Sequence, residues 1–211
     1  RQLDNMIREG IVGDAVLLPE PLSGHLPVVG RGQACWKVTI SRPGPDVHEV
    51  MRPMNEPGVI AAGAELVRRL GLLEKSLATS SDPLAGRASV FVGLFRAGEI
   101  YNGFPHEARL EGTRRWLPGG KKAEVEAEFR GILAEVAAET GATIETNFKL
   151  VRDAFALDES HPFVGIFRRC YAALSGKPIE RGPKPFVDDG NSFWSLGGVP
   201  AITHGPLAGG Q

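Results

Sequence analysis

Apolar and polar residues alternate with a period of two in four stretches of the chain. Ala34, Trp36, Val38 and Ile40 alternate with Cys35, Lys37, Thr39 and Ser41. Val90, Val92 and Leu94 form a second such run, and Ala108, Leu110 and Gly112 a third. Ile144, Thr146, Phe148 and Leu150 alternate with Glu145, Asn147 and Lys149. This period is the signature of a half-buried strand. Two other stretches repeat every three or four residues, as one face of a helix does. Val59, Ala62, Gly63, Leu66, Leu70, Leu73 and Leu77 predict the first helix. Val125, Phe129, Ile132, Leu133 and Val136 predict the second, starting after Gly119-Gly120 and stopping at Gly141. Gly98, Gly103 and Pro105 break the ladder between the second and third strands, so those two runs fold back as an antiparallel pair. Residues 33–150 therefore spell strand–helix–strand–strand–helix–strand. That βαββαβ order is the ferredoxin-like unit, a four-stranded antiparallel sheet with two helices on one face.

The flanks read differently. Asp4 to Glu9 is a short helix end, and Ala15 to Leu18 a buried strand closed by Pro19-Glu20-Pro21. Residues 22–33, rich in Gly and Pro, read as a linker. Residues 42–57 are a loop with four prolines (Pro43, Pro45, Pro53 and Pro57), and it contains His48. After residue 150, Phe163, Ile166, Phe167, Cys170, Tyr171 and Leu174 form a helix stripe. Ser160 is its expected cap, with Pro162 near the start and Gly176 at the stop. A polar turn at Phe186–Asn191, a short helix at Phe193–Leu196 and a buried strand at Val199–Thr203 follow. This is α/β patterning. The expected architecture is a ferredoxin-like α+β domain, residues 33–150, inserted between two pieces of a partial α/β domain, residues 1–32 and 151–211.

Composition narrows the function classes. The 211 residues carry 24 basic and 25 acidic side chains, so charge gives no argument for nucleic acid or an anionic membrane surface. No apolar run approaches the roughly 18 residues that a membrane span needs. Cys35 and Cys170 lie in apolar periodic segments and do not read as a disulfide framework, which makes a reducing, cytoplasmic compartment the default. The chain opens at Arg1 and closes on Gly-Gly-Gln, which reads as a fragment.

Four residues are candidates for chemistry. Glu20 sits where a strand leaves its sheet, where sites in open α/β sheets collect, and could ligate a metal. His48 lies in an ordered-looking polar loop, placed as a donor beyond the edge of its own domain. Asn102 and one of Arg114 and Arg115 mark the two ends of one hairpin, where an amide and a guanidinium can grip a carboxylate. On spacing alone, an ordinary solvated loop residue is the commoner reading of each.

Several segments together resemble one family. GDAVLLPEP at Gly13–Pro21, GRGQACWKVTI at Gly30–Ile40, the hairpin from Tyr101 to Gly119 and FVDDGNSFWSLGGVPAITHGP at Phe186–Pro206 are similar, in the same order, to motifs of the dinuclear zinc amidohydrolases and metallopeptidases. That family includes aminoacylase, acetylornithine deacetylase, succinyl-diaminopimelate desuccinylase and glutamate carboxypeptidase. The resemblance implies a ferredoxin-like lid or dimerisation domain set into a zinc-hydrolase catalytic domain. It implies Glu20 as a metal ligand and His48 as the lid histidine that polarises the scissile carbonyl in a partner subunit's site. Asn102 and Arg115, the latter by its spacing to Pro118-Gly119, would hold the substrate. The implied reaction is cleavage of the amide bond of N-acyl amino acids or small peptides by a homodimer. Its cofactor would be zinc, two per intact site, or else cobalt or manganese. The family's early His-x-Asp, bridging Asp and Glu-Glu motifs have no counterpart here, so the chain alone is expected to be inactive and to bind little zinc. The competing reading is a non-catalytic ferredoxin-like module for dimerisation or ligand binding.

Overall fold

The structure, a computed structural model, describes residues 2–20, 24–184 and 186–206. Pro21, the start of the expected linker and the closing Gly-Gly-Gln lie outside the described residues. The chain begins with α1 (Gln2–Arg8), β1 (Val16–Leu18), β2 (Val29–Gly30), β3 (Gly32–Ser41) and β4 (Val47–His48). A single 3₁₀ turn, Glu49–Met51, precedes α2 (Val59–Leu77). Then come β5 (Ser81–Asp82), β6 (Gly86–Arg87), β7 (Ser89–Ala97), β8 (Gly103–Phe104) and β9 (Glu107–Trp116). The chain continues with α3 (Lys122–Thr140), β10 (Thr143–Arg152), β11 (Phe155–Ala156), α4 (Pro162–Ser175), α5 (Asp189–Gly197) and β12 (Ala201–Thr203).

β3, β7, β9 and β10 make one four-stranded sheet in the order β10–β3–β9–β7, with every pairing antiparallel. This is the ferredoxin-like order. Both long helices share one core with a single face of the sheet. Trp36 lies in the middle of that core, its ring 5.2 Å from Phe129, which in turn lies 5.5 Å from Phe148. Gly112 stands opposite Trp36 on β9. A Cβ there would come within 2.3 Å of the Trp36 ring and 1.9 Å of the Phe91 carbonyl oxygen, so only glycine fits.

The strands depart from strict alternation at one point. Register shifts between Val92 and Leu94, with Gly93 as the extra residue of a bulge. Side-chain parity inverts beyond it. Leu94 therefore pairs with Glu111 on the open face, and Phe95 takes the next core-facing position beside Leu110. Its ring lies over Gly63 of α2, where a Cβ would approach within 2.5 Å. The alternation that grouped Leu94 with Val90 and Val92 holds only up to the bulge.

A second, smaller core gathers Leu26, Val28, Phe155, Leu157, Val164, Ile179 and Ile202. The stretch expected as a linker thus supplies two of its buried side chains, and β2 pairs with β11. β1 and β12 pair in parallel, and β1 is half-buried rather than buried. The cap of α4 is His161, whose Nδ1 accepts the Phe163 N–H, and not Ser160. On α4, Val164 is fully buried and Phe163, Phe167 and Tyr171 partly cover the core. Ile166 and Leu174 of the predicted stripe face solvent. Both cysteines are free and exposed, because Cys35 points to the open face of its strand and Cys170 lies off the buried face of α4.

A buried polar hub ties this second region to the sheet. Lys184, 1% exposed, donates to Asp188 at 2.8 Å and to Asn191 Oδ1 at 3.1 Å, and lies over the Phe155 ring. Asp188 also caps α5 and accepts the Thr203 hydroxyl. Asn191 Nδ2 donates to the carbonyls of Arg31 and Asp153, one on each of the two connections between the regions. Burial pushes the pKa of Lys184 down, while Asp188 pulls it up. A charge this deep persists because it is paired and its donors are used.

Candidate active site

The loop after β3 and the turn before β9 meet through the two-residue ladder of β4 and β8, where Val47 pairs with Phe104 and His48 with Gly103. The ladder sets His48 beside Asn102. The His48 Nε2 and the Asn102 carboxamide are 2.8 Å apart, and the Val50 N–H donates to His48 Nδ1 at 3.4 Å. A neutral imidazole has one N–H and one acceptor. The backbone donor is fixed in place, whereas a carboxamide can turn over and exchange its nitrogen for its oxygen. With Nδ1 accepting, Nε2 carries the hydrogen and Asn102 offers its oxygen. That Nε2–H is engaged by Asn102, and it reaches an oxygen of a ligand only by exchanging the Asn102 oxygen for it.

A cavity of about 290 Å³ opens beside this pair, lined by Asp46, Val47, His48, Ile100, Gly103 and Pro105. Asp46 accepts from both the N–H and the Nδ1 of His106, at 2.6 and 2.7 Å. Those hydrogen bonds hold the Asp46 carboxyl below the usual carboxylate range. Bulky apolar side chains crowd the same end of the molecule. Val50, Met51, Met54, Ile100 and Tyr101 are all strongly exposed, Tyr101 completely.

Arg115 stands at the opposite end of β9, paired with Gln33 and Ser89. It lies eight residue steps from Glu107 at the near end, roughly 27 Å of strand. Parity separates it from its neighbour. Arg114 is 3% exposed on the helix-covered face, where it donates to Glu128 at 2.8 Å. Arg115 projects from the open face, on the same side as Cys35. Burial lowers its pKa, partly offset by Cys35, and its Nη1 is buried without a hydrogen-bond partner among the described residues. Arg31 is close enough to feel it. The pKa of Arg31 is lowered first by burial, then by Arg115 and Arg87.

Glu20 is exposed just beyond β1. Its carbonyl oxygen lies against Gly205, where a Cβ would come within 2.4 Å. Next to it, the His204 N–H donates to Leu18 at 3.0 Å, and the His204 ring packs on Phe167 and Tyr171. His204 Nε2 is buried without a partner among the described residues. One chain thus brings His48 and Asn102 together and leaves Arg115 and Glu20 on other parts of the fold. Asp189 pairs with Arg152 at 2.6 Å, and with Asp188 in the buried hub neither acid is placed as a ligand. Among the described residues, no group of three or more His, Cys, Asp or Glu side chains is arranged to hold a metal ion. The donor set in these residues does not by itself fit a metal centre.

Sequence reasoning missed Arg42. It is 6% exposed and binds the segments that carry His48 and Asn102. An arginine at a strand end followed by Pro-Gly-Pro carries no signal of that role.

Together the antiparallel sheet, its two helices and the flanking α/β elements have the fold of a large part of several solved peptidase structures. Aminopeptidase PepT from Bacillus cereus superposes with a TM-score of 0.74 at 16% identity, over 94% of this chain and 50% of that one. A tripeptidase from Staphylococcus aureus gives 0.73 at 16% identity, over 93% of this chain and 50% of that one. An M20 family metallo-carboxypeptidase from Sulfolobus solfataricus gives 0.72 at 14% identity, over 97% of this chain and 67% of that one. The chain spans about half the length of the first two of these structures. No family sequence model and no curated protein sequence matches it.

Proposed function

We propose that the chain is part of a metal-dependent amide hydrolase of the zinc amidohydrolase and metallopeptidase family. Residues 33–150 act as its lid and dimerisation domain, and 1–32 and 151–211 as two pieces of its catalytic half. The substrate is a short peptide or an N-acyl amino acid. The names of the structural neighbours, an aminopeptidase, a tripeptidase and a carboxypeptidase, weight the choice toward peptides.

The observation that carries this reading is the division of the candidate residues. His48 and Asn102 are paired at an exposed tip, and Arg115 lies a sheet-length away. A single copy cannot bring both to one substrate, whereas two copies related by a two-fold axis can each reach into the other. In such a dimer His48 donates its Nε2–H to the scissile carbonyl as charge develops on that oxygen. Arg115, desolvated and with an unused Nη1, takes the substrate carboxylate in a two-pronged contact that lysine cannot copy. Glu20 would supply one ligand of the metal in the full-length protein, and that metal, zinc or else cobalt or manganese, would supply an activated water.

Subunit complementation in the full-length protein tests this. His48→Ala should cut turnover roughly 10²–10³-fold, and Glu20→Ala should abolish metal-dependent turnover. Mixed dimers of the two variants should regain one wild-type site, because that site draws its histidine and its carboxylate from different chains. No recovery in verified heterodimers would sink the trans role. Full activity in Glu20→Ala would remove Glu20 from the metal site, and absence of metal-dependent turnover in the full-length wild type would favour the non-catalytic module.

A further inference from the structure

We propose that Arg42 is the positioning residue of the His48–Asn102 pair, a guanidinium that locks the histidine loop onto the asparagine turn. This rests on the catalytic reading of that pair given above. Arg42 follows β3 directly, where the chain leaves the sheet. Its five N–H donors are all used. Nε donates to the Pro105 carbonyl at 3.0 Å. Nη1 donates to the Pro43 carbonyl at 2.7 Å and to Glu56 Oε2 at 2.6 Å. Nη2 donates to the carbonyls of Pro45 at 2.7 Å and Phe104 at 2.9 Å. The guanidinium also stacks 4.3 Å from the Phe104 ring centroid, and the Arg42 backbone N–H donates to His106.

The acceptors fall on three segments. Pro43 and Pro45 lead into His48, Phe104 and Pro105 follow Asn102, and Glu56 closes the far end of the histidine loop. Other ties between loop and turn include the two-residue ladder, the Glu49 N–H to the Asn102 carbonyl, the exposed His48–Asn102 contact itself and the exposed Asp46–His106 pair. The ladder is short, and water competes for the exposed contacts. The buried guanidinium alone reaches all three segments, in a planar fork whose geometry is fixed. Lysine offers three donors from one point and cannot satisfy acceptors spread around a plane. Displacing a catalytic group by about 1 Å costs on the order of a hundredfold in rate, so a loosened clamp reads out in turnover.

The test uses the full-length protein, with Arg42→Lys, Arg42→Met and Glu56→Gln. Long-range proton–nitrogen NMR of the His48 ring reports its tautomer, hydrogen exchange reports local opening, and steady-state kinetics separate kcat from KM. In Arg42→Lys and Arg42→Met the ring should lose its fixed Nε2–H pattern and average between tautomers. Core-strand amides such as Trp36 and Leu110 should keep their protection. The kcat should fall about a hundredfold with KM nearly unchanged, and Glu56→Gln, which spares four of the five bonds, should fall less. An unchanged His48 ring in folded Arg42→Lys overturns the proposal. Should neither Arg42 variant fold, the wild type still decides. The amides of Arg42 and Glu49, which hold loop and turn together, should open at one shared rate, and independent opening overturns the clamp. If His48→Ala leaves turnover intact, the catalytic reading fails on its own, and the NMR and exchange results still decide whether Arg42 positions the pair.

Discussion

The sheet region and the region built from the two flanking stretches are both α/β in pattern, yet they finish their cores differently. The sheet region buries eighteen residues of one cluster between four strands and two helices. Among the described residues the flanking region buries seven in its cluster, under a two-stranded parallel pair of three residues per strand. Parallel sheets occur covered on both faces, and a two-stranded pair alone is marginal. Here Leu17 of β1 is half exposed, and Leu174 of α4 is 90% exposed. The first region completes a core on one face of its sheet and leaves apolar side chains such as Phe91 and Tyr101 outside it, whereas the second has only a short strand pair to build on.

The most forceful way to break this comparison is Trp36→Ala. Deleting a central aromatic from a core costs about 3–5 kcal/mol. Its effect should fall on the sheet region, read by Trp116 in a Trp194→Phe background, with Trp194 in a Trp116→Phe background reporting a separate, less altered transition in tryptophan fluorescence during urea unfolding. A single coincident transition shifted equally at both probes would mean the regions fold as one unit.

A smaller effect sharpens the link between them. Asn191→Ala removes both bonds that join α5 to the Arg31 and Asp153 carbonyls and strips Lys184 of an acceptor. Leaving buried groups unpaired costs about 1–3 kcal/mol. The variant should lower the melting temperature and widen the gap between the two transitions. Calorimetry showing an unchanged profile would remove the hub as the coupling element.

The smallest effect is confined to the sheet region and to acid. Glu65 on α2 accepts from Arg68 and Arg69, and these bonds hold its carboxyl down at about 2 from an ordinary 4.5. A carboxylate whose folded pKa is depressed adds stability above its unfolded pKa and loses it as pH falls through the folded one. Wild type should therefore lose this contribution between about pH 4.5 and pH 2. Glu65→Gln should flatten that limb slightly and change nothing near pH 2. The pair is on the surface, so the flattening should also shrink in high salt. An acid-unfolding curve identical to wild type at low ionic strength would discount it.

The sheet and its helices were legible because each strand and helix buries one face, and burial writes a period into the sequence. Gly141, which takes φ 72° at the end of α3, and Gly176, with φ 74° at the end of α4, were legible for the same local reason. The bulge at Gly93 was not, since one inserted residue leaves no mark except inverted parity further on. Leu26 and Val28 were hidden among glycines and prolines because an isolated buried residue in irregular backbone has no period. Of the candidate site, the nearness of His48 and Asn102 depends on a two-residue ladder too short to read from propensity. The Arg42 clamp depends on carbonyls from three separate segments, which no local pattern encodes. The separation of Arg114 from Arg115 was open on spacing alone; parity along β9 assigns one to Glu128 and the other to the open face.

That adjacent pair bears on how the sheet tolerates insertion and deletion. A one-residue slip of β9 would put one arginine in the place of the other, so the pair would register the error at only one of its two positions. The glycine registers it directly. Moving Gly112 by one place sets Glu111 or Thr113 against the Trp36 ring, in a space where even a methyl group collides. The alignment of β9 is therefore keyed by the smallest residue on the strand. A lineage could lengthen or shorten the turn before β9 without losing that key, while a single residue gained or lost between Gly112 and Arg115 would turn Arg115 to the helix-covered face.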